Sequence, residues 1–529
     1  MTDPATALPR ARSWWGWGWA DEQLDDAECT ALGARLPGTL PRPLPVPRVA
    51  DLRVEAPAVQ VPRTLAHLVT ADPEQRAAHA MGKAYRDVMR ALRGQSGRLP
   101  DLVARPAREQ DVADLLDWAG RHGAAVVPYG GGSSVTGGVE YRGDEHRGVL
   151  SLDLTGMDRV LEVDRESRAA RIQAGVFGPA LEDRLRPHGL TLRHFPQSFE
   201  FSTLGGWLAT RAGGHYATGP THIDDFTESL RVVAPAGTGE SWRLPASGAG
   251  PSPDRLFLGS EGALGVITEA WMRLQDRPRF RTSAALAFAD FGRALGAVRA
   301  VARSDLAPAN CRLLDAGEAA MSGVSKDGSA VLVLGFESAF APVDDRLAQA
   351  VGLARDHGGE PAAERGEPAG AAVDAWRAAF LRMPYLRDGL ARMGGVAETF
   401  ETAATWDRLP ALIEAVRTEV GSAAHRATGH PAVVNCRLTH VYPDGAAPYF
   451  TVLAAGRPGS EVAVWDDLKA VATEVLHRHR ATITHHHAVG RDHRPGYDRQ
   501  RPEPFALALR AAKRALDPQR VLNPGVLID

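Results

Sequence analysis

PYGGGSSVTGG, residues 128–138, places five glycines and three small hydroxyl side chains in one short loop. The preceding residues, 101–128, predict an extended segment, a helix and a short strand, so the loop follows a strand. Glycine has no Cβ atom, so the backbone N–H groups of such a loop can surround a pyrophosphate without a lysine. The loop has neither the GK[ST] of a Walker loop nor a GxGxxG pattern. Taken alone, a glycine run of this kind is more typical of a flexible hairpin.

Three further loops rich in glycine and hydroxyl residues follow in the first half of the chain. Two lie within HFPQSFEFSTLGGWLATRAGGHYATGPTHIDDF, residues 194–226, and one opens GSEGALGVITEAWMRL, residues 259–274. Before them, GVLSLDL and VLEVDRESRAARIQAGV alternate like paired strands, and a helix is expected to begin near Gly178. Four such loops, each bordered by regular structure, favour a phosphate-binding site over a flexible hairpin.

The order of PYGGGSSV, PQSFEFSTLGGWLATRAGG and GSEGALGVIT resembles the FAD-binding domain of vanillyl-alcohol oxidase or PCMH-type flavoproteins. More narrowly, the chain resembles the alkyldihydroxyacetonephosphate synthase family, flavoenzymes that make the ether bond of ether lipids. The motifs that carry the narrower resemblance are SWWGWGWADE at residues 13–22, CRLLDAGEA at 311–319, ETAATWDRL at 401–409, CRLTHVYPDGAAPYFT at 436–451 and THHHAVG at 484–490. The resemblance covers nearly the whole chain.

The predicted fold class is α+β, with a PCMH-type FAD-binding domain of two subdomains and a sheet-and-helix cap domain for the substrate. A Trp-rich and helical N-terminal region precedes them, with an Ala/Arg-rich helical stretch expected over residues 64–93. The cap is predicted because helix-like and strand-like segments alternate in the second half of the chain. The expected boundaries are residues 1–95, 96–278, 279–480 and 481–529, the last holding the HHH loop and a closing helix. AERGEPAGAAVD, residues 363–374, is expected to be a mobile connection.

Composition agrees with a large enzyme that binds no nucleic acid. The chain has 529 residues, 44% of them hydrophobic, and a formal net charge of −3, which gives nucleic acid no electrostatic reason to bind. Cys29, Cys311 and Cys436 form no CxxC pair, which is typical of a reducing compartment without a thiolate zinc site. No secretory h-region and no C-terminal Ser-Lys-Leu address is present. We therefore expect a cytoplasmic homodimer, with peripheral membrane contact left open.

The resemblance implies FAD as the cofactor, and the absence of histidine from PYGGGSS predicts that FAD is bound without a covalent link. The residues that the resemblance assigns to FAD are Pro128, Tyr129, Gly130, Gly131, Gly132, Ser133, Ser134, Val135, Gln197, Ser198, Ser202, Thr203, Thr210, Arg211, Ala212, Gly213, Glu261, Gly262, Ala263, Leu264, Gly265, Val266 and Ile267.

Three residues of the cap match family residues needed for binding or catalysis. The resemblance gives Arg437 to the substrate phosphate, since a guanidinium can donate two hydrogen bonds at once to a phosphate. It gives Tyr449 and Arg312 to catalysis. The alternatives are a solvent-facing strand residue for Arg437, a half-buried strand aromatic for Tyr449, and an ion pair of Arg312 with Asp315 or Glu318.

The histidine triplet, His485, His486 and His487, has two interpretations. In an extended segment His485 and His487 would share one face, where they could bind zinc with a carboxylate from elsewhere in the chain. The ligand set is incomplete in the sequence, so no metal is predicted. The resemblance instead places the triplet beside the flavin, where imidazoles can move protons near neutral pH.

Two further features qualify the interpretation. Gln197 stands where the family pattern has an acid, and glutamine can neither carry a negative charge nor take a proton. Trp14, Trp15, Trp17 and Trp19 could contact a lipid interface, but clustered aromatics are more typical of a hydrophobic plug against the flavin domain.

The expected function is exchange of the acyl group of acyl-dihydroxyacetone phosphate for a long-chain alcohol. The alternative is an FAD-linked oxidase or dehydrogenase acting on a 2-hydroxy acid or an alcohol. Both use the same FAD loops, and they differ in whether the flavin is reduced by the substrate.

Overall fold

The structure of the chain is a computed structural model, which describes residues 10–325, 327–362 and 371–529. The stretch expected to be a mobile connection falls at residues 363–370 outside the described residues, and its last residues, 371–374, lie in a helix. The other predicted segments are described below in chain order.

The N-terminal region forms several short elements. They are α1 (Asp26–Gly33), β1 (Val69–Thr70), α2 (Pro73–Ala78) and α3 (Tyr85–Leu92). The helical stretch predicted over residues 64–93 thus consists of two short helices, α2 and α3. Asp72 caps a new helix at Pro73, and the chain between α2 and α3 packs against the 128–138 loop, where a Cβ atom on Gly82 would lie 2.2 Å from the Ser134 carbonyl oxygen.

The tryptophans of the N-terminus are packing residues. Trp15 and Trp17 are 5% and 6% exposed. Trp17 and Trp19 meet the ring of Phe201 edge-on, with centroids 5.8 and 5.4 Å apart. The structure thus agrees with a plug against the flavin domain.

The first sheet of the flavin domain holds the strand that leads into the 128–138 loop. Its strands are β2 (Leu102–Ala104), β3 (Ala124–Tyr129) and β4 (Gly148–Asp153), in the order β1-β2-β4-β3. The predicted helix is α4 (Glu109–His122), which ends at Gly123 in the left-handed conformation, φ 65°. Because β3 and β4 are parallel, the loop between them is not a hairpin.

The second sheet of this domain is antiparallel, in the order β5-β6-β10-β8-β9. Its strands are β5 (Val160–Asp164), β6 (Ala169–Gln173), β8 (Thr227–Ala234), β9 (Gly237–Glu240) and β10 (Val266–Arg273), with β7 (Leu190–Thr191) paired to β11 (Gln275–Asp276). The helices are α5 (Gly178–Leu185), α6 (Leu204–Thr210), α7 (Ile223–Phe226) and α8 (Asp254–Phe257). The predicted strand pair and the helix at Gly178 are confirmed.

The cap is an antiparallel sheet covered by helices, as the alternation of segments predicts. Its strands are β12 (Phe280–Phe288), β13 (Asn310–Leu314), β14 (Ala330–Ser338), β15 (Glu360–Pro361), β16 (Gly395–Glu401), β17 (Ala404–Thr405), β18 (Val433–Val441) and β19 (Gly445–Ala455), in the order β15-β12-β14-β13-β18-β19-β16 with β17 on β19. The helices are α9 (Phe291–Ala302), α10 (Ala316–Met321), α11 (Asp344–Asp356), α12 (Ala371–Arg392), α13 (Leu409–Thr428) and α14 (Glu461–Arg478).

Alternation along the central cap strands separates a core face from a polar face. In β18 and β19 the residues Cys436, Leu438, Phe450 and Val452 are buried in the hydrophobic cores under the helices. Their sequence neighbours therefore point to the opposite face of the sheet, which is turned toward the flavin domain.

The C-terminal tail packs back on the flavin domain through α15 (Arg494–Gln500) and α16 (Glu503–Leu516). The Lys513 ammonium, 3% exposed, donates to the carboxylate of Asp517 at 2.7 Å and to the carbonyl oxygens of Ala263 and Leu522. Asp517 in turn accepts from the backbone N–H groups of Val521 and Leu522. This network holds the tail beside the loop of residues 261–267.

We expect Lys513→Met to lower the free energy of unfolding by about 3–5 kcal/mol, because it leaves the Asp517 carboxylate buried without its cation. Arg510→Met on the same helix is the control, since its partner Glu503 is exposed and such pairs contribute about 0–1 kcal/mol. Chemical denaturation of both variants measures the difference. Equal losses in the two variants would contradict a structural role for the buried pair.

Candidate cofactor site and active site

One cavity of about 430 Å³ lies between the loops of the flavin domain and the polar face of the cap sheet. Residues on its walls that the sequence also singles out are Pro128, Tyr129, Gly130, Gly131, Gly132, Ser133, Ser134, Val135, Gln197, Ser198, Ser202, Thr203, Thr210, Ala212, Gly213, Glu261, Gly262, Gly265, Val266, Ile267, Arg312, Arg437, Tyr449, His486 and His487. Arg211, Ala263, Leu264 and His485 lie in the same segments but not on the cavity walls.

The glycines of the 128–138 loop allow this loop to pack directly against the loop that contains Phe201. A Cβ atom on Gly131 would fall 1.8 Å from the carbonyl oxygen of Phe201, and one on Gly132, φ 67°, would fall 1.9 Å from the Tyr129 hydroxyl. The sequence suggests that glycine is needed at position 131 to leave room for the ligand. That explanation is incomplete, because a Cβ atom at this position would face a neighbouring loop. Close loop packing is what requires glycine here.

Arg12, in the N-terminal region, contacts the 128–138 loop. Its guanidinium donates to the Gly131 carbonyl oxygen at 2.7 Å and lies 5.3 Å from the centroid of the Phe201 ring. Lys83, buried nearby, donates its backbone N–H to Ser134 and its ammonium to the Trp14 carbonyl oxygen. The sequence does not predict this contact. Arg12 and Gly131 are 119 positions apart, and local sequence patterns do not report contacts over such a separation.

Gln197 links the flavin domain to helix α12. Its amide donates a hydrogen bond of 2.7 Å to the carbonyl oxygen of Phe380. An ionised carboxylate cannot donate such a bond, so glutamine suits this contact where the family pattern has an acid.

Glu261 joins the fourth flavin loop to the C-terminal segment. It is 7% exposed and accepts hydrogen bonds of 2.9 Å from the N–H groups of Val489 and Gly490. Burial raises the pKa of Glu261 to about 7, while the two N–H donors oppose the shift. Its neighbour Ala263 faces the core formed with α16, not the cavity.

Strand register brings the polar residues of the cap into one row. Leu314 of β13 pairs with Arg437 of β18, Arg437 with Tyr449 of β19, and Tyr449 with Glu401 of β16. Cross-strand partners share a face, and Arg312, two residues before Leu314, shares it too. The sheet therefore places Arg312, Arg437, Tyr449 and Glu401 on one face, and the first three line the cavity.

Arg437 and Tyr449 form a stacked pair. The guanidinium carbon lies 3.8 Å from the centroid of the tyrosine ring, and Nη1 donates to Glu318 at 3.0 Å. Glu318, 2% exposed, also accepts from Thr451 at 2.6 Å. Burial raises the pKa of Tyr449, against the effect of the adjacent guanidinium. Both side chains are buried, so Arg437 is not a solvent-facing strand residue and Tyr449 is not a half-buried strand aromatic.

Arg312 is 2% exposed, and its guanidinium lies 5.6 Å from the ring centroid of Phe380. The two carboxylates proposed as its structural partners pair with other arginines: Asp315 with Arg417 at 2.7 Å and Glu318 with Arg437. The cavity wall thus contains two buried guanidinium groups, a set that suits an anion.

The histidine segment is not extended. It wraps around the buried carboxylate of Glu401, which accepts the backbone N–H groups of His485, His486 and His487 and the hydroxyl of Thr484. These bonds turn His486 and His487 toward the cavity, while His485 points to Tyr442 at 2.8 Å. The expectation that His485 and His487 share a face, with His486 turned away, is therefore wrong.

Burial sets the charge of these groups. It lowers the pKa values of His485 and His486 and lowers that of His487 to about 3, so the imidazoles are neutral at neutral pH. The pKa of Glu401 lies well below its usual range: burial would raise it, but the histidines and the donated hydrogen bonds outweigh burial. Neutral imidazoles on a cavity wall can accept protons.

Within the described part of the chain, two groups of three side chains lie close enough to share a metal ion: His440, His485 and His486, and Glu401, His486 and His487. The Nδ1 atoms of His485 and His486 are 3.1 Å apart, and His440 Nε2 lies 2.9 Å from the Gly214 carbonyl oxygen. Hydrogen bonds thus already engage these nitrogens. The absence of a metal remains a prediction of the sequence.

Glu401, Glu318 and His440 were missed as site residues by the sequence reasoning. Glu401 is the first residue of the ETAATWDRL motif, and an acid at the end of the apolar strand GVAETFE was a usable signal. His440 follows Arg437 and Thr439 on β18, where nothing in the sequence separates it from an ordinary strand residue.

The cavity fits FAD. Its volume is in the range of about 300–1,000 Å³ that is typical of ligand pockets, and four loops meet on its flavin-domain side. The bare backbone of residues 130–132 would hold the pyrophosphate, and loops 197–203, 210–213 and 261–267 would hold the rest of FAD.

We expect Gly131→Ala to lower flavin content severely, because its Cβ atom would force the first loop away from Phe201. Gly239→Ala is the control, since a Cβ atom there has nothing within 4 Å. The ratio of flavin to protein absorbance measures the effect, and full flavin content in Gly131→Ala would contradict it.

Acid precipitation of the wild-type protein should release its FAD into solution.

Comparison with known proteins agrees with this geometry. The model of the FAD binding domain family matches residues 100–241, and that of the C-terminal domain of FAD linked oxidases matches residues 277–527. The alkyldihydroxyacetonephosphate synthase of Trypanosoma brucei brucei is 31% identical over 484 residues, which are 86% of this chain and 78% of the relative. The synthase of Dictyostelium discoideum is 30% identical and covers 93% of this chain and 86% of its own length.

A solved structure of an alkyldihydroxyacetonephosphate synthase superposes with a TM-score of 0.79 at 26% identity, covering 97% of this chain and 98% of that one. FAD is accordingly the cofactor of this protein. The loops, the cap row and the relatives lead to one assignment: this chain belongs to the alkyldihydroxyacetonephosphate synthase family of FAD-dependent enzymes.

Proposed function

We propose that this protein exchanges the acyl group of acyl-dihydroxyacetone phosphate for a long-chain alcohol and so makes an ether lipid precursor. The observation that carries the proposal is the buried Nε atom of Arg437, a cavity residue, which has no hydrogen-bond partner among the described residues. A buried cationic donor without an acceptor costs free energy, and a bound anion removes that cost. Phosphate is an anion whose oxygens match a guanidinium.

Arg312 supports the same ligand. It lies on the same face of the cap sheet as Arg437, two residues from the Leu314 that pairs with Arg437. Glu318 pairs with Arg437. Phosphate oxygens can accept hydrogen bonds from guanidinium groups on this face of the sheet.

The apolar part of the cavity lining suits long hydrocarbon chains. It includes Trp17, Leu32, Met383, Leu386, Leu390 and Leu453. Burying hydrocarbon contributes about 0.8 kcal/mol per CH₂ group, so such walls favour an acyl or alkyl chain over a small polar substrate.

Proton transfer falls to other polar side chains of the cavity wall. Neutral His486 and His487 can take the proton of the alcohol, because burial keeps both imidazoles unprotonated at neutral pH. Tyr449 keeps its proton, because burial raises its pKa, and it can donate a hydrogen bond to a substrate oxygen. FAD, when bound, supplies an electrophilic ring system that can accept and return electrons within one turnover.

The alternative function is an FAD-linked oxidase or dehydrogenase of a 2-hydroxy acid or an alcohol. The match of residues 277–527 to the C-terminal domain of FAD linked oxidases is the observation that favours it. Such an enzyme would need an electron acceptor for each turnover, whereas acyl-for-alkyl exchange consumes no oxidant.

Non-covalent attachment of FAD, a cytoplasmic location, a homodimer and peripheral membrane contact remain predictions. Among the residues that the structure describes, no helix has both the length and the hydropathy needed to cross a membrane.

We expect Arg437→Lys to lower kcat/KM for the phosphorylated substrate although the charge is kept, because an ammonium cannot make the two-pronged contact. A loss of about 1.5–3 kcal/mol corresponds to about 10- to 150-fold. Arg478→Lys, at an exposed pair with Glu419, is the matched control. Unchanged steady-state kinetics in Arg437→Lys would assign Arg437 a structural role.

The function itself is tested without oxygen or dyes. Wild-type protein given acyl-dihydroxyacetone phosphate and a long-chain alcohol should form ether product, with the flavin absorbance unchanged after turnover. Tyr449→Phe should keep its FAD and lose about 10²- to 10⁴-fold in rate, the usual contribution of a positioned proton donor. Tyr497→Phe, on α15 outside the cavity, should behave as wild type.

Two results would count against the proposal. Absence of ether product from wild-type protein with intact FAD would refute the exchange reaction. Bleaching of the flavin by a 2-hydroxy acid in the same anaerobic sample, reversed by an added acceptor, would favour the alternative.

A further inference from the structure

A continuous row of hydrogen-bonding side chains runs from the cavity wall toward the protein surface. His486 Nδ1 lies 3.1 Å from His485 Nδ1, and His485 Nε2 lies 2.8 Å from the Tyr442 hydroxyl. The Tyr442 hydroxyl lies 3.3 Å from Thr221 Oγ1, which lies 3.1 Å from His222 Nδ1. Each of the four gaps is short enough for a hydrogen bond.

The two ends of this row have different surroundings. His486 lines the cavity. His222 is half-buried, and the exposed Asp225 beside it accepts its backbone N–H and that of Thr221. The middle is enclosed, since Thr221 is 3% exposed. The row therefore leads from the cavity wall to a half-buried histidine beside an exposed carboxylate.

The geometry of the row is fixed by the rest of the fold. Glu401 holds the backbone at His485 and His486. The other ring nitrogen of His222, Nε2, lies 2.9 Å from the His485 carbonyl oxygen, which ties α7 of the flavin domain to the histidine segment. The indole of Trp406 donates to the Tyr442 carbonyl oxygen at 3.1 Å.

Acyl-for-alkyl exchange, on whose proposed assignment this inference rests, releases a proton in each turnover. The bond between the substrate carbon and the carboxylate oxygen breaks, and the acid leaves as an anion. The bond from that carbon to the alcohol oxygen forms, and the alcohol loses the proton of its hydroxyl. Electrons balance without an oxidant, so the one product left to account for is a proton inside a buried cavity.

We propose that the row His486, His485, Tyr442, Thr221 and His222 is a relay that carries this proton to solvent. His486 takes the proton at Nε2, the nitrogen that His485 does not engage, and donates its Nδ1 proton to His485. His485 passes a proton from Nε2 to Tyr442, whose hydroxyl donates to Thr221. Thr221 donates to His222 Nδ1, and half-buried His222 loses its Nε2 proton to water when the hydrogen bond of Nε2 to the His485 carbonyl oxygen opens. One passage leaves each of the three imidazoles in its other tautomer, so the starting state returns when the two hydroxyls rotate and each imidazole turns over or exchanges its proton.

The resting charges suit a relay. Burial lowers the pKa values of His485 and His486 and raises that of Tyr442 to about 12. A group in the row therefore carries an added proton only in transit. Tyr442 gives up its own proton only as it receives another, which is the behaviour of a hydroxyl between two partners.

The test uses holoenzyme with Tyr442→Phe, which removes one oxygen atom from the row, and with His222→Gln, which removes its outer end. We expect both to retain FAD and to lower kcat on the order of 10- to 100-fold with little change in KM, within the range for a lost proton-transfer step. Imidazole added to the buffer should restore kcat in a concentration-dependent way. Tyr497→Phe should show neither the loss nor the rescue.

Ether product and proton release, followed with a pH indicator dye in the same samples, separate the outcomes. Wild-type kcat in both variants, or a loss of kcat that imidazole does not restore, would overturn the relay while leaving the proposed function intact. Stoichiometric metal bound at His485 and His486 would also overturn it, because a metal would occupy the nitrogens of the first transfer. Absence of ether product from the wild-type protein would overturn the proposed function, and the relay with it.

Discussion

The carboxylate of Glu401 holds the active site together. It is fully buried, yet it accepts three backbone N–H groups and one hydroxyl from residues 484–487. A buried anion is tolerable only when its oxygens are fully hydrogen-bonded, so the histidine segment has to wrap around it. Because Glu401 also pairs with Tyr449 across two strands, the same residue sets the distance between the histidines and the cap row.

Close contacts between separate parts of the chain also fix the loops of the FAD-binding domain. The first flavin loop touches the backbone of the second with no room for a Cβ atom at Gly131, and Arg12 holds that loop from outside. Glu261 and the Lys513 network bind the C-terminal tail to the fourth loop. The loops are thereby fixed by packing with neighbouring segments, which preorganises the cavity for its cofactor.

The site combines two kinds of environment. The cap row supplies buried positive charge next to neutral imidazoles, while α12 and the N-terminal plug supply apolar walls. A substrate with an anionic head and a hydrocarbon chain matches that division. The polar row through Tyr442 leads from this site to half-buried His222 and is the proposed route for the released proton.

Local patterns in the sequence determined much of this protein: the helix and strand before the first loop, the paired strands β5 and β6, the sheet-and-helix cap and the glycine loops. They did so because strand alternation, glycine content and helix spacing depend on residues close in the chain. The sequence does not predict that the helical stretch of residues 64–93 divides into α2 and α3, because the chain between them packs through Gly82 against Ser134, a distant residue. Only the tertiary structure decided which histidines face the cavity. The partners that orient them are distant in the chain: Tyr442 is 43 residues from His485, and Glu401 is 84 residues from it. Periodicity cannot encode a contact that exists only after two domains have closed on each other.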